Sequence, residues 1–164
     1  MYSEFADLWP RLSPAAGYRK EGARWSRLLR EALGPGQHRL LDLGSGGGHL
    51  LSHVGPGFAA TAVDLSPDML EHCRRLNPEV RTVAGDMRTV RLGEPFDAVM
   101  IHDALGYLLE LDDLRGTLAT AAAHLREDGL LLLGPDYVKQ TFPGSTLHHY
   151  SCGEGVDVVE WCHD

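Results

Sequence analysis

The sequence predicts a doubly wound α/β domain with a mainly parallel sheet, and three observations predict it. Apolar runs of strand length alternate with helix-length amphipathic stretches between residues 39 and 134. A glycine-rich turn, Gly44-Ser45-Gly46-Gly47-Gly48, follows the first run directly. Asp64 closes the second run, twenty-two residues after Asp42. Strands alternating with helices are joined by long crossovers, which set parallel strands side by side and cover both faces of the sheet.

Taken in order, residues 2–33 carry apolar side chains at helical spacing, interrupted near Pro10, Pro14 and Gly17. They predict a short helix before Pro10 and a longer one from about Gly17 to Leu33, stopped by Gly34-Pro35-Gly36. The first strand runs from Arg39 to Asp42 and a helix from Gly47 to Val54; the second strand follows from Ala59 to Asp64. Ser66 is a good N-cap, with Pro67 at the first position of a helix that reaches Leu76. The third strand spans Val80 to Ala84 and the fourth Ala98 to His102. The ten residues from Asp86 to Pro95 include Gly93 and Pro95, too little for a crossover helix, so a loop or single turn is expected there. A helix from Leu111 to Leu125 leads to a fifth strand, Leu130 to Gly134. Beyond it, Thr146 to Cys152, Gly153-Glu154-Gly155 and Val156 to Cys162 read as a β-hairpin. The predicted organisation is a helical cap segment over residues 1–34, a ligand-binding domain over 35–142 and a hairpin tail over 143–164.

The glycine turn and Asp64 together form a nucleoside-binding signature. Glycine lets backbone take positive φ or approach a ligand closely. The N–H groups that open a following helix favour anionic groups. An acid at the tip of the second strand accepts both hydroxyl protons of a ribose. A dinucleotide turn reads G-x-G-x-x-G/A. Counting from Gly44 puts His49 at the third small position, and counting from Gly46 puts Leu51 there, so the spacing argues against an NAD enzyme.

The pattern Asp-x-Gly-x-Gly-x-Gly from Asp42 to Gly48 resembles motif I of class I S-adenosylmethionine (SAM) dependent methyltransferases. Further segments follow in that family's order: Ala62-Val63-Asp64-Leu65, Gly85-Asp86-Met87, Phe96-Asp97-Ala98-Val99-Met100 and Leu125-Arg126-Glu127-Asp128-Gly129-Leu130. Ser66-Pro67-Asp68-Met69-Leu70, Gly85-Asp86-Met87-Arg88 and Gly106-Tyr107-Leu108 are most similar to aminosugar N,N-dimethyltransferases. The resemblance covers roughly residues 2–142 and implies a Rossmann-like methyltransferase fold with strand order 3-2-1-4-5. That family's sheet has seven strands, so the resemblance implies a chain truncated after strand five and ending in the hairpin. The alternative, that the hairpin fills the place of strands six and seven, stays open.

The resemblance assigns SAM as cofactor and a small-molecule acceptor, an amine for the aminosugar group. Gly44, Gly46 and Gly48 face the methionine portion, with Asp42 near its ammonium; Asp64 holds the ribose, and Leu65 packs on adenine. Asp86 accepts from the adenine amino group while the Met87 N–H donates to a ring nitrogen, and Tyr18 borders the sulfonium. Tyr2 and Trp9 complete an aromatic N-terminal segment. The acceptor site belongs beyond the fourth strand, where His102, Asp103 and Tyr107 are the catalytic candidates. Tyr107 stands where some aminosugar enzymes carry a histidine. A non-catalytic SAM-binding module is the competing reading.

Fifteen basic against 23 acidic residues give a net charge of −8, with no Lys/Arg cluster of the kind that neutralises phosphates, so nucleic-acid binding is disfavoured. No apolar run is long enough to span a bilayer and no leader pattern is present. Three cysteines make no disulfide framework, so the expected setting is the cytoplasm. His148, His149, Cys152, Cys162 and His163 lack zinc-site spacing, and no metal is expected. The apolar hairpin residues Val156, Val158, Val159 and Trp161 predict a homodimer contact.

Overall fold

A computed structural model describes residues 8–142, 144–151 and 157–162. Its main sheet has five parallel strands in the order β3-β2-β1-β4-β5: β1 (His38–Leu43), β2 (Phe58–Asp64), β3 (Arg81–Ala84), β4 (Phe96–His102) and β5 (Leu125–Gly134). This is the predicted architecture and strand order. The strands alternate between two cores. Leu40, Ala60, Ala62 and Met100 pack with Trp25 and Leu29, whereas Leu41, Leu43, Val63, Val99 and Ile101 pack with Ala121. Successive side chains point to opposite faces, so uninterrupted apolar strands require a cover on each side.

The first cover consists of α2 (Arg19–Leu33), α3 (Leu51–Val54) and α4 (Pro67–Leu76). α4 begins as predicted, with Ser66 Oγ accepting from the Met69 N–H and Pro67 in the first turn. The other cover is α5 (Leu111–His124) together with the loop between β3 and β4. That loop is non-helical, as expected, and α5 side chains satisfy its backbone. The Leu92 N–H donates to His124 Nε2 at 2.9 Å, and Thr120 Oγ1 donates to the Arg88 carbonyl at 2.7 Å. With these partners, two backbone groups of a half-buried loop are satisfied without a helix.

Several boundaries differ from the sequence reading. Pro10 lies inside the first turn of α1 (Trp9–Leu12) rather than ending a helix, because proline lacks only an N–H that a first turn leaves unused. Residues Ala15–Tyr18 form a 3-10 turn before α2. Only Leu51–Val54 is helical after the glycine turn, since Gly46 and Gly48 hold positive φ. β5 starts at Leu125, and its pairing with β4 is irregular between Phe96 and Ala98.

The tail is an antiparallel pair, β6 (Thr146–Ser151) and β7 (Asp157–Cys162), forming a sheet of its own. The described hairpin strands therefore do not extend the main sheet at the position of a sixth strand. Tyr2, the Gly153-Glu154-Gly155 turn, Cys152, Val156 and His163 lie outside the described residues. Among the described residues, no helix is long and apolar enough to cross a membrane, and no group of three metal-ligating side chains occurs.

Candidate functional site

The carboxyl ends of β1, β2 and β4 open onto one edge of the sheet, where a parallel α/β fold gathers its loops. The turn after β1 is built on alternating glycines, with φ of 78° at Gly44, 53° at Gly46 and 71° at Gly48. Their roles differ. A Cβ on Gly48 would lie 2.6 Å from both Asn77 Nδ2 and Cys73 Sγ, so this glycine serves packing against α4. A Cβ on Gly46 would meet only Met69 Cε, at an ordinary 3.5 Å, leaving its face open to a ligand.

Asp64 joins this turn to the tip of β2. Its Oδ2 accepts the Gly46 N–H at 2.7 Å and its Oδ1 accepts the Ser66 N–H at 2.9 Å. A carboxylate offers about four acceptor sites, so these bonds do not exhaust it. Leu65, next in the chain, is 71% exposed: an apolar surface beside an acid. Asp42 is buried at the end of β1. Burial, reinforced by the nearby Asp64 charge, pushes its carboxyl up to about 8. Such a group stays protonated at neutral pH until a cation approaches it.

Asp86 follows β3 as expected but is already engaged. Its two oxygens hold the Arg88 guanidinium through Nε and Nη2, and Oδ1 also accepts the Arg88 N–H at 2.8 Å. Arg88 keeps the carboxyl below its usual range and reaches on to Asp113 Oδ1 at 2.8 Å. Met87 is partly buried against the second core, beside Gly44.

The end of β4 carries a second polar group. His102 is largely covered, its side chain 9% exposed, with ring contacts to Trp25 at 5.1 Å and Tyr18 at 6.0 Å. Its Nδ1 lies 3.3 Å from Asp103 Oδ2 and its Nε2 lies 3.0 Å from Glu21 Oε1. The Glu21 contact is misaligned for a hydrogen bond, leaving Nε2 with a neighbouring charge and no hydrogen-bond partner. Asp103 adopts φ 52°, uncommon for any residue but glycine, and its N–H donates to the Gly134 carbonyl at 2.8 Å. Burial raises its carboxyl to about 6; His102 opposes that shift, while Asp136 and Glu21 add to it. Tyr18 is raised as well, first by burial and then by the same three carboxylates, against a 2.7 Å hydrogen bond with Ser13.

The structure thus brings Tyr18, His102 and Asp103 together, and places Asp42, the glycines, Asp64 and Leu65 along the adjoining edge. Tyr107 stands apart on the 3-10 turn Leu105–Tyr107 and is 57% exposed. Sequence reasoning missed Glu21, Trp25 and Asp136. Tyr18, Glu21 and Trp25 are spaced as one helix face, a signal legible in the chain; Asp136 arrives only through the pairing of β4 with β5.

The methyltransferase-domain family profile matches residues 40–129. The chain is 35% identical over 127 residues to a dTDP-3-amino-3,4,6-trideoxy-alpha-D-glucopyranose N,N-dimethyltransferase of Streptomyces venezuelae, covering 76% of this chain and 53% of the relative. The sugar N-methyltransferase KedS8 from Streptoalloteichus superposes with a TM-score of 0.80 at 30% identity, over 94% of this chain and 63% of that one. SAM-bound CalS10, an amino pentose methyltransferase from Micromonospora echinaspora, gives a TM-score of 0.76 at 30% identity, over 92% and 63%. The chain spans 53%, 57% and 62% of the length of three such sugar N,N-dimethyltransferases.

Proposed function

The chain belongs to the class I SAM-dependent methyltransferases, and on that premise we propose that it transfers the methyl group of SAM to a small-molecule amine, an amino sugar before others. The observation that carries the amine reading is the group of Glu21, Asp103 and Asp136 around Tyr18, with Glu21 and Asp103 also flanking His102. Relatives named as sugar N,N-dimethyltransferases support the acceptor class.

The residues present fit SAM. Gly46 has an open face, Asp64 has acceptor capacity for the ribose hydroxyls, Leu65 offers an apolar surface to adenine, and Asp42 is a buried carboxyl suited to an ammonium. Met87 and Asp86 flank the adenine end, with Asp86 oriented by Arg88. When bound, SAM supplies an electrophilic methyl on a sulfonium. The protein's task is then to position a neutral amine and remove its proton. The three carboxylates attract the acceptor as an ammonium. His102 is the candidate base for its proton, and Glu21 and Asp103, at 3.0 and 3.3 Å from the ring nitrogens, hold the resulting charge. Tyr18 closes the space between the two halves of the site, and Tyr107 stands at its rim.

Calorimetric titration with S-adenosylhomocysteine, SAM and NAD, followed by transfer of labelled methyl to dTDP-amino sugars and to glycine, tests this reading. Binding of S-adenosylhomocysteine with methyl transfer to an amino sugar is expected. Heat with NAD alone would overturn it, and SAM binding without turnover would favour the binding-module reading.

We also propose that the hairpin pairs between copies, in a cytoplasmic homodimer. Leu147 and Val159 lie on one face of the hairpin and are 68% and 63% exposed.

A further inference from the structure

Arg88 bridges two acids from different parts of the fold. Its Nε meets both oxygens of Asp86 at 3.0 Å, its Nη2 reaches Asp86 Oδ2 at 2.6 Å, and its backbone N–H donates to Oδ1 at 2.8 Å. Nη1 turns the other way, to Asp113 Oδ1 at 2.8 Å, in the first turn of α5. The same helix fixes the Arg88 backbone. Thr120 Oγ1 donates to its carbonyl at 2.7 Å, and a Cβ on Gly116 would stand 3.4 Å from that carbonyl oxygen.

Stability does not account for this arrangement. The side chains of Arg88, Asp86 and Asp113 are 41%, 25% and 32% exposed. Ion pairs open to water contribute little, while holding three side chains in one geometry costs conformational entropy. What the bridge does fix is the carboxylate. Asp86 follows β3, and the Gly85 N–H beside it donates to the Asp64 carbonyl at 2.9 Å, which sets Asp86 next to the tip of β2.

A carboxylate has about four acceptor positions. Arg88 supplies three donors to them, with Nε shared between the two oxygens, and so leaves about one position free. Arg88 also holds the group in its ionised form. An ionised carboxylate with one position left accepts a donor and repels another acceptor.

We propose that Arg88, anchored by Asp113, is a positioning residue that turns the free acceptor position of Asp86 toward the exocyclic group of the cofactor's purine, and so sets a preference for an amino-purine over an oxo-purine. This rests on the SAM reading above, in which Asp86 stands at the adenine end. A guanidinium suits the task because its planar fork spans two carboxylates, whereas an ammonium is a point charge.

The test sets S-adenosylhomocysteine against S-inosylhomocysteine, which carries a carbonyl in place of the adenine amino group. By calorimetry the wild type should bind the first about a hundred-fold more tightly, because the carbonyl would face a carboxylate and leave it unpaired. Arg88→Ala should narrow that preference to about ten-fold through weaker S-adenosylhomocysteine binding. Its affinity for S-inosylhomocysteine should stay unchanged, which also shows that the variant is folded. Asp113→Asn keeps Arg88 but releases its anchor, and should narrow the preference in the same direction by about three-fold. Because both act on one bridge, the double variant should go no further than Arg88→Ala alone. Equal weakening for both ligands, an unchanged preference in either single variant, or additive effects would overturn the proposal. Should Arg88→Ala fail to fold, Asp113→Asn alone decides. A wild type that binds both ligands equally would remove Asp86 from the purine and the proposal with it. A wild type that binds neither would instead overturn the SAM reading beneath.

Discussion

The Gly46 N–H donates to Asp64 Oδ2 at 2.7 Å, so the turn after β1 and the tip of β2 are one unit rather than two neighbouring motifs. A carboxylate bonded to backbone N–H holds a charge-assisted contact, worth roughly 1.5–3 kcal/mol. Asp64 therefore shapes the turn, and in the proposed function it also faces the ribose.

Asp64→Ala should weaken S-adenosylhomocysteine binding by about ten- to a hundred-fold. A ribose role has its own signature. The wild type should prefer 5′-methylthioadenosine over its 2′,3′-dideoxy analogue, and the variant should lose that preference. A folded variant that keeps it would refute the assignment.

Gly46 and Gly48 should respond differently to alanine. Both positions carry positive φ, which costs a non-glycine residue roughly 1–2 kcal/mol. Gly48→Ala adds the contacts with Asn77 and Cys73, so its unfolding midpoint should fall further than that of Gly46→Ala. Gly46→Ala should lose cofactor affinity with a smaller loss of stability, and Gly46→Val should abolish binding. Thermal unfolding and calorimetry on both variants make the comparison.

Asp42 makes stability depend on pH in a direction opposite to an ion-paired acid. Its carboxyl is raised from 3.8 to about 8, so the folded chain keeps a proton that the unfolded chain releases. Stability then declines as pH rises from about 4 through about 8 and levels off above. Asp42→Asn mimics the protonated form. Its unfolding midpoint should gain on the wild type as pH is raised across that window, and parallel profiles would exclude the effect.

Asp103 should control capture of a cationic acceptor. With its carboxyl raised to about 6, its negative charge is lost as pH falls through that value. KM for an amine acceptor should rise on the acid side of about 6. Asp103→Asn should show a KM raised by about ten-fold at neutral pH and a flatter acid limb. Steady-state kinetics across pH would show whether it does.

Val159→Asp places a charge on the exposed hairpin face and should convert a dimer to a monomer in light scattering. A monomeric wild type at micromolar concentration would remove the dimer.

The sequence by itself determined the alternation of strands and helices, the loop between β3 and β4, the cap of α4 and the glycine turn that stands beside Asp64. Each is a local property: apolar periodicity, proline and glycine placement, and the spacing from Asp42 to Asp64 all lie within short stretches of chain. Helix length after the glycine turn was not legible, because positive φ at Gly46 and Gly48 delays α3 to Leu51. Nor was the occupancy of Asp86, which depends on Arg88 bridging to Asp113 from α5. Only the tertiary structure decided which acids gather at the end of β4. Glu21 reaches His102 from α2 packed across the sheet, while Asp136 reaches Asp103 from the loop after β5. The charges act through space and burial, and sequence distance carries no record of either.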